Sequence, residues 1–153
     1  MSHKVIIYTD GASSGNPGPG GYGVVLMSGG HRKELSQGFA CTTNNRMELL
    51  AVIVALEALK AEKCEVTVYT DSKYVADAVT KGWLFSWVKK DFKGKKNADL
   101  WKRFLKVYPR HQVKFVWIKG HANIPGNERC DYLAVQASMA PDLLIDEGYQ
   151  PEN

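Results

Sequence analysis

The apolar positions along this chain change period several times, and each change marks an element. Val5-Ile6-Ile7-Tyr8-Thr9 is a β-branched and aromatic run, the pattern of a buried strand. Tyr22 to Met27 and about Lys33 to Thr42 predict two further strands, joined by a turn at Ser28-Gly29-Gly30. Residues 11–23 are rich in Gly, Pro, Ser and Asn and predict a loop or tight turns. With Asn44 or Asn45 as its cap, a long helix is expected to about Lys60, apolar on most sides and therefore buried. Val66 to Thr70 predicts a fourth strand, which passes at Asp71-Ser72 into a helix near residues 73–80.

Trp83 to Val88 extends the helical character, and the Lys/Gly stretch 89–97 reads as a basic protrusion or loop. A helix from about Ala98 to Val107 stops at Pro109, Val113 to Ile118 predicts a fifth strand, and Gly126 to Met139 a last helix. Strands first in succession and then alternating with helices imply an α/β fold, a mixed sheet covered by helices. No repeat or linker divides the chain, so residues 1–140 read as one domain. The tail, residues 141–153, carries four acids and no base and is expected to be loosely ordered.

A length of 153 residues suits one domain with a real core, and 44% apolar with 24% charged residues is ordinary for a globular protein. No apolar run approaches the roughly 20 residues of a membrane helix. Met1-Ser2-His3-Lys4 leads straight into a strand without a signal-peptide core, so a cytoplasmic location is expected. Cys41, Cys64 and Cys130 cannot all pair and form no Cys-x-x-Cys unit. They read as small buried hydrophobes in a reducing compartment.

Charge changes the picture through its distribution. Of a net +4, the stretch from Lys81 to Arg110 carries +8, ten basic residues against Asp91 and Asp99, which leaves −4 on the rest. A localised positive surface on an acidic body is the footprint of a polyanion partner, whereas charge runs that serve solubility usually mix signs.

Four acids stand out by position. Asp10 follows the first strand, Glu48 lies in the first long helix, Asp71 sits where a strand becomes a helix, and Asp131 lies in the last helix. Each has a bland reading: a hairpin turn for Asp10-Gly11, a variant capping box from Asn45 to Glu48, an N-cap for Asp71, a solvated face for Asp131. Asp10 leans functional because the residues after Gly11 do not resume a strand in this reading. Collectively, four carboxylates converging from strand ends and helix starts repel unless cations join them. All-oxygen ligation suits Mg²⁺ or Mn²⁺, and two ions roughly 3.5–4 Å apart suit in-line phosphoryl displacement. The loop Gly15 to Gly21 lacks the Gly-Lys-Ser/Thr ending of a P-loop and reads as a connection that lets backbone approach closely.

These residues together resemble the ribonuclease H family, in its bacterial type-one branch. The resemblance rests on Tyr8-Thr-Asp-Gly11, Gly15-Asn-Pro-Gly-Pro-Gly-Gly-Tyr-Gly23, Thr42-Thr-Asn-Asn-Arg-Met-Glu-Leu49 and Thr70-Asp-Ser-Lys-Tyr-Val75. Trp117-Ile-Lys-Gly-His-Ala122 and Asn127-Glu-Arg-Cys-Asp131 complete it, in family order over about residues 4–137. It implies a five-stranded mixed sheet with helices on both faces. It implies a monomeric endonuclease that cuts the RNA strand of RNA–DNA hybrids with two Mg²⁺ ions, Mn²⁺ being an alternative, and leaves 5′-phosphate and 3′-hydroxyl ends.

By the same resemblance Asp10, Glu48, Asp71 and Asp131 are the metal-binding catalytic acids, and His121 assists proton transfer or product departure. Asn16, Thr43, Asn44 and Asn45 match positions that touch the hybrid's backbones, where short polar groups can read a 2′-hydroxyl. The basic segment looks like the family's handle, in which Trp83, Trp87 and Trp101 would line a channel for the DNA strand, while Trp117 reads as core filler. Lys73 stands where relatives often carry glutamine near the RNA strand, so that contact is expected to be ionic. Cys41 replaces an often basic residue, and the stretch from Trp83 to Trp101 is shorter than in familiar bacterial members.

Overall fold

The computed structural model describes residues 3–120 and 122–151. Its elements are β1 (Lys4–Ser13), β2 (Gly18–Ser28), β3 (His31–Thr42), α1 (Asn44–Glu57), β4 (Glu65–Thr70) and α2 (Lys73–Thr80). They continue with α3 (Trp83–Lys89), α4 (Ala98–Val107), a 3₁₀ turn (Tyr108–Arg110), β5 (Gln112–Trp117) and α5 (Pro125–Ser138). One five-stranded mixed sheet runs in the order β3-β2-β1-β4-β5, antiparallel over β3, β2 and β1 and parallel over β1, β4 and β5. The expected α/β architecture, with helices on both faces, is present.

α1 is buried almost all round, through Met47, Leu49, Leu50, Ala51, Val52, Ile53, Ala55 and Leu56. The sheet covers one side of it, and α2 and α4 pack against its others. α5 lies against β1, β2 and β3. Helix α4 buries Leu100, Trp101, Phe104 and Val107, a helical stripe of one face, and leaves Lys102, Arg103 and Lys106 outside.

The glycine-rich stretch differs from expectation. Residues 11–13 continue β1 and residues 18–23 belong to β2, with Asp10 opposite Gly23 and Ser13 opposite Gly20. Strand pairing therefore does resume after Gly11, against the loop reading of 11–23 and against the reason first given for Asp10. Low strand propensity is overridden by packing. A Cβ on Gly23 would overlap the Cys130 carbonyl of α5, and one on Gly38 the Ala137 carbonyl. The bare backbone admits the helix, so close approach is what these glycines provide.

Smaller corrections concern caps and cysteines. Thr43, rather than Asn44 or Asn45, caps α1, accepting from the Arg46 N–H at 3.3 Å. Cys64 and Cys130 are buried as expected, but Cys41 is exposed on β3.

The tail, expected to be loosely ordered, makes defined contacts. The Ala40 N–H donates to the Leu144 carbonyl at 2.8 Å, and the Leu144 N–H to Gly38 at 3.0 Å. Asp146 accepts from Arg46 Nε at 2.7 Å and from Thr42 Oγ1 at 2.7 Å. Arg46, 2% exposed, also reaches Asp99 of α4 through Nη1 at 2.9 Å and Nη2 at 2.7 Å. A buried guanidinium thus ties α1, α4 and the tail together. Burial alone would raise the Asp99 pKa, but the hydrogen bonds and charge of Arg46 outweigh it and hold the carboxyl below its ordinary 3.8. The stability Asp99 contributes is therefore present above that value and lost as pH falls beneath it.

Removing one partner of this clamp leaves Arg46 short of countercharge in a buried place. Asp146→Asn should lower unfolding free energy by about 2 kcal/mol in urea titrations at pH 7. An unchanged midpoint would show that the Asp146 contact adds nothing to the fold.

Candidate active site

The register of the sheet brings the acids together. β1 and β4 pair in parallel with Tyr8 opposite Tyr69, so Asp10 is level with Asp71, just past the end of β4. Asp10 lies within β1, at a level where β4 no longer runs alongside. Ser72, not Asp71, caps α2, its Oγ accepting from the Val75 N–H at 3.2 Å. The capping explanation for Asp71 therefore falls away. Glu48 forms no capping box: its carboxylate accepts from the Gly11 N–H across 37 residues of sequence. The same amide donates to Asp10 Oδ1 at 2.9 Å. A Cβ on Gly11 would collide with the Met47 and Glu48 backbone, so a glycine there is what lets α1 bring Glu48 onto β1.

Oxygens of Asp10, Glu48 and Asp71 all lie within 4.8 Å of one another, close enough for one cation to bind all three. Asp10 is 6% exposed and Glu48 7%, so two of the three are nearly sealed. Burial pushes the Asp10 carboxyl up to about 7, helped by the charges of Asp71 and Asp131 and opposed by its hydrogen bonds. Glu48 is also raised, by burial first and then by its bond to Asp10 and the charges of Asp10 and Asp71. Near neutral pH such a pair retains a proton unless a cation takes its place.

An open cavity of about 460 Å³ holds the site, lined by Asp10, Gly11, Asp71, Asn123, Asn127, Glu128 and Asp131. Asp131, on an exposed part of α5, faces this cavity without joining the tight cluster of three. His121 lies outside the described residues. Sequence reading passed over Asn127, which is 5% exposed and whose Oδ1 has no hydrogen-bond partner among the described residues. Its signal was available, since it stands one helical turn before Asp131 on the same face. Carboxylates crowded without a cationic partner among the described residues, beside an amide oxygen likewise unpaired among them, are a donor set that fits a hard divalent cation.

A second cavity of about 880 Å³ runs beside the first strand turn, lined among others by Asn16, Thr43, Asn44, Asn45, Lys95, Lys96 and Asn97. Asn16 Oδ1 accepts from the Asn44 N–H at 2.8 Å, and Ser13 Oγ bonds both asparagines, at 2.9 and 3.1 Å. Asn97 was not singled out from sequence. It caps α4 in a left-handed conformation, φ 65°, and its side chain bridges Arg46 at 3.2 Å and the Tyr74 hydroxyl at 3.1 Å. The tail reaches the same groove through Gly148 to Pro151.

The tryptophans sort differently from expectation. Trp101 is fully buried, with Nε1 donating to the Tyr74 hydroxyl at 2.8 Å and Phe104 and Trp87 edge-on to it. It is core, because it lies on the apolar stripe that α4 turns inward, and it cannot line a channel. Trp117, expected in the core, is 43% exposed. Trp83 is 47% exposed with Lys81 over its ring at 5.2 Å, and half-buried Trp87 carries Lys95 at 5.1 Å. Lys73 lies over Trp117 at 4.8 Å.

A mixed sheet whose strand ends gather buried carboxylates into an open cavity, next to a lysine-rich helical pair, defines an acidic-site α/β protein suited to cations and polyanions. The comparisons then give the family. The RNase H family profile matches residues 2–139. The chain is 59% identical over 148 residues to the ribonuclease H of Desulforamulus reducens, covering 94% of this chain and 92% of that one. With the ribonuclease H of Salmonella arizonae it shares 54% over 157 residues, 99% of each chain. LC9-RNase H1, described as a type 1 RNase H with the type 2 active-site motif, superposes with a TM-score of 0.82 at 32% identity, over 90% of this chain and 73% of that one. LC11-RNase H1, solved in complex with an RNA/DNA hybrid, gives 0.64 at 32% identity, over 87% of this chain and 95% of that one. This chain belongs to the RNase H family.

The raised Asp10 carboxyl has a consequence for stability. A carboxylate whose folded pKa lies above its unfolded one weakens the fold as pH rises from 3.8 towards about 7. Asp10→Asn should therefore raise the melting temperature at pH 7.5 in a chelating buffer, and the gain should shrink at pH 4.5. Calorimetric scans at both pH values decide it: a destabilised variant at pH 7.5 would mean that Asp10 is not strained by burial.

Proposed function

We propose that this chain is an endonuclease that hydrolyses the RNA strand of RNA–DNA hybrids with two divalent metal ions, leaving 5′-phosphate and 3′-hydroxyl ends. The observation that carries this reading is the cluster of Asp10, Glu48 and Asp71 beside the Asp131 cavity in a chain of this family. Mg²⁺ is the proposed ion, with Mn²⁺ able to replace it. When bound, such ions neutralise charge on the reacting phosphate and activate water.

The protein's own residues do the remainder. Asp10, Glu48, Asp71 and Asp131 hold the ions, and the Gly11 N–H fixes the first two. His121 is proposed to assist proton transfer or product departure. Asn16, Thr43, Asn44 and Asn45 line the second groove, where short polar groups and backbone amides can reach sugar hydroxyls and phosphates. Trp83 and Trp87, each beneath a lysine, and Lys73 supply further substrate contacts. A cytoplasmic location and a monomeric state complete the proposal. Among the described residues no helix is long and apolar enough to cross a membrane.

On a denaturing gel, a labelled hybrid should be cut in the RNA strand with Mg²⁺ and remain whole with chelator. Asp71→Asn should lose activity by orders of magnitude while keeping its circular dichroism spectrum. A few consecutive 2′-deoxy units should create a protected gap, whereas equal cutting of duplex DNA would favour a DNA nuclease on the same fold.

Segment 81–106 supplies none of the four acids, so its role is binding. Changing Lys89, Lys90, Lys95 and Lys96 to Ala should raise KM well beyond any fall in kcat, and each lost phosphate contact should flatten the log–log salt dependence by roughly 0.7–0.9. A quadruple variant with unchanged KM and salt slope would reduce this stretch to a solvated surface.

A further inference from the structure

Asp71 differs from the other two clustered acids in how it is held. The Gly11 amide and burial fix Asp10 and Glu48, whereas Asp71 stands at the open end of β4, half-buried, between a strand and a helix. Its neighbours there come from the exit of β5. Trp117 pairs with Thr70 in the parallel ladder, and the next amide, Ile118 N–H, donates to the Thr70 carbonyl at 2.9 Å. The Trp117 indole N–H then donates to the Asp71 carbonyl at 3.0 Å. Gly120 closes the other side: a Cβ there would stand 3.1 Å from Asp71 Oδ2, tighter than ordinary packing allows. One strand exit therefore grips the backbone of Asp71 and borders its carboxylate.

The same indole has a second contact. Lys73, two residues after Asp71, places its ammonium 4.8 Å from the Trp117 ring centroid. The ring is 43% exposed at the strand end, so its edge and face are open to polar partners. Its edge N–H engages the backbone of a clustered acid, and its face engages a lysine two residues further along the same chain segment.

We propose that Trp117 is a positioning residue for the reaction: its N–H sets the place of Asp71 for the cation, and its ring holds the Lys73 ammonium beside the cluster for a substrate phosphate. The proposal rests on the reading of Asp71 as a cation ligand. The two functions are separable because they use different parts of the ring. Trp117→Phe keeps an aromatic face under Lys73 and removes the N–H. Trp117→Leu removes both, and Lys73→Met removes the charge alone.

Three measurements test it: steady-state hybrid cleavage, Mn²⁺ binding to the substrate-free protein by calorimetry, and thermal unfolding in chelator. Trp117→Phe should lower kcat roughly tenfold with KM within about twofold, and weaken Mn²⁺ binding several-fold, since a misplaced ligand acts on chemistry rather than on hybrid binding. Its melting temperature should stay within about 2 °C of the wild type, because an exposed hydrogen bond contributes little to stability. Lys73→Met should do the converse, raising KM several-fold with kcat and Mn²⁺ affinity nearly unchanged. Trp117→Leu should show both losses.

A Trp117→Phe protein equal to wild type in kcat and in Mn²⁺ affinity would overturn the proposal. So would losses that follow a large fall in melting temperature. If wild-type protein left the hybrid intact, the reading of the substrate would fail, and the Mn²⁺ titration would still decide the role of Trp117.

Discussion

One backbone amide, that of Gly11, donates to the carboxylates of both Asp10 and Glu48, and the remaining site is arranged around that shared bond. A single N–H cannot neutralise two buried carboxylates. Their proximity and burial raise both pKa values, so the pair is poised between holding a proton and holding a cation. Hydrophobic packing of α1 supplies the force that keeps them there. Met47, Leu49 and Val52 are buried on the same helix, so α1 cannot withdraw the Glu48 carboxylate without exposing apolar surface. Strain at the acids is thus sustained by the core rather than by the site.

Opposite charges occupy different parts of the surface. Acids gather at the sheet's strand ends, and lysines gather on α3, α4 and the turns beside them, with Lys81, Lys95 and Lys102 lying over aromatic rings. A lysine over a ring keeps its ammonium outward while its stem covers apolar surface, so the positive field needs no buried charge. Arg46 is the exception that joins the two regions. Buried between Asp99 of α4 and Asp146 of the tail, it fixes the start of α4 relative to the start of α1, and the asparagine-lined groove lies between those helix starts.

Strong periodic segments were legible from the sequence alone. Residues 73–80 and 98–107 coincide with α2 and α4, β4 begins one residue earlier than expected, and β5 begins and ends one residue earlier. Positions of the clustered acids were legible because strand-to-helix junctions carry functional groups in such sheets. What was not legible depended on distant partners. Gly21 and Gly23 fell in the stretch 11–23 that reads as loop or turns, because nothing local shows that α5 will rest on them. Trp101 and Trp117 exchanged their expected places because aromatic content does not say which helix face or strand end is covered. Thr43 caps α1 although two asparagines follow it, since only the chain's path out of β3 decides which side chain meets the first free amides. Asn127 was hidden for a related reason: its burial comes from packing, not from its neighbours in sequence.

The glycines also set the spacing of the acids, which connects the least regular part of the sequence to the chemistry. Asp10 pairs with Gly23 across β1 and β2, and Gly23 abuts the carbonyl of Cys130, the residue before Asp131. On the α1 side, Gly11 abuts the backbone that carries Glu48. Two bare positions therefore admit two helices, and each helix carries an acid towards Asp10. A side chain at either position would hold its helix off by about the width of a methyl group, a displacement large enough to draw the carboxylates apart. Strand propensity is low in this stretch because the site needs backbone, not side chains, at the places where the helices touch the sheet.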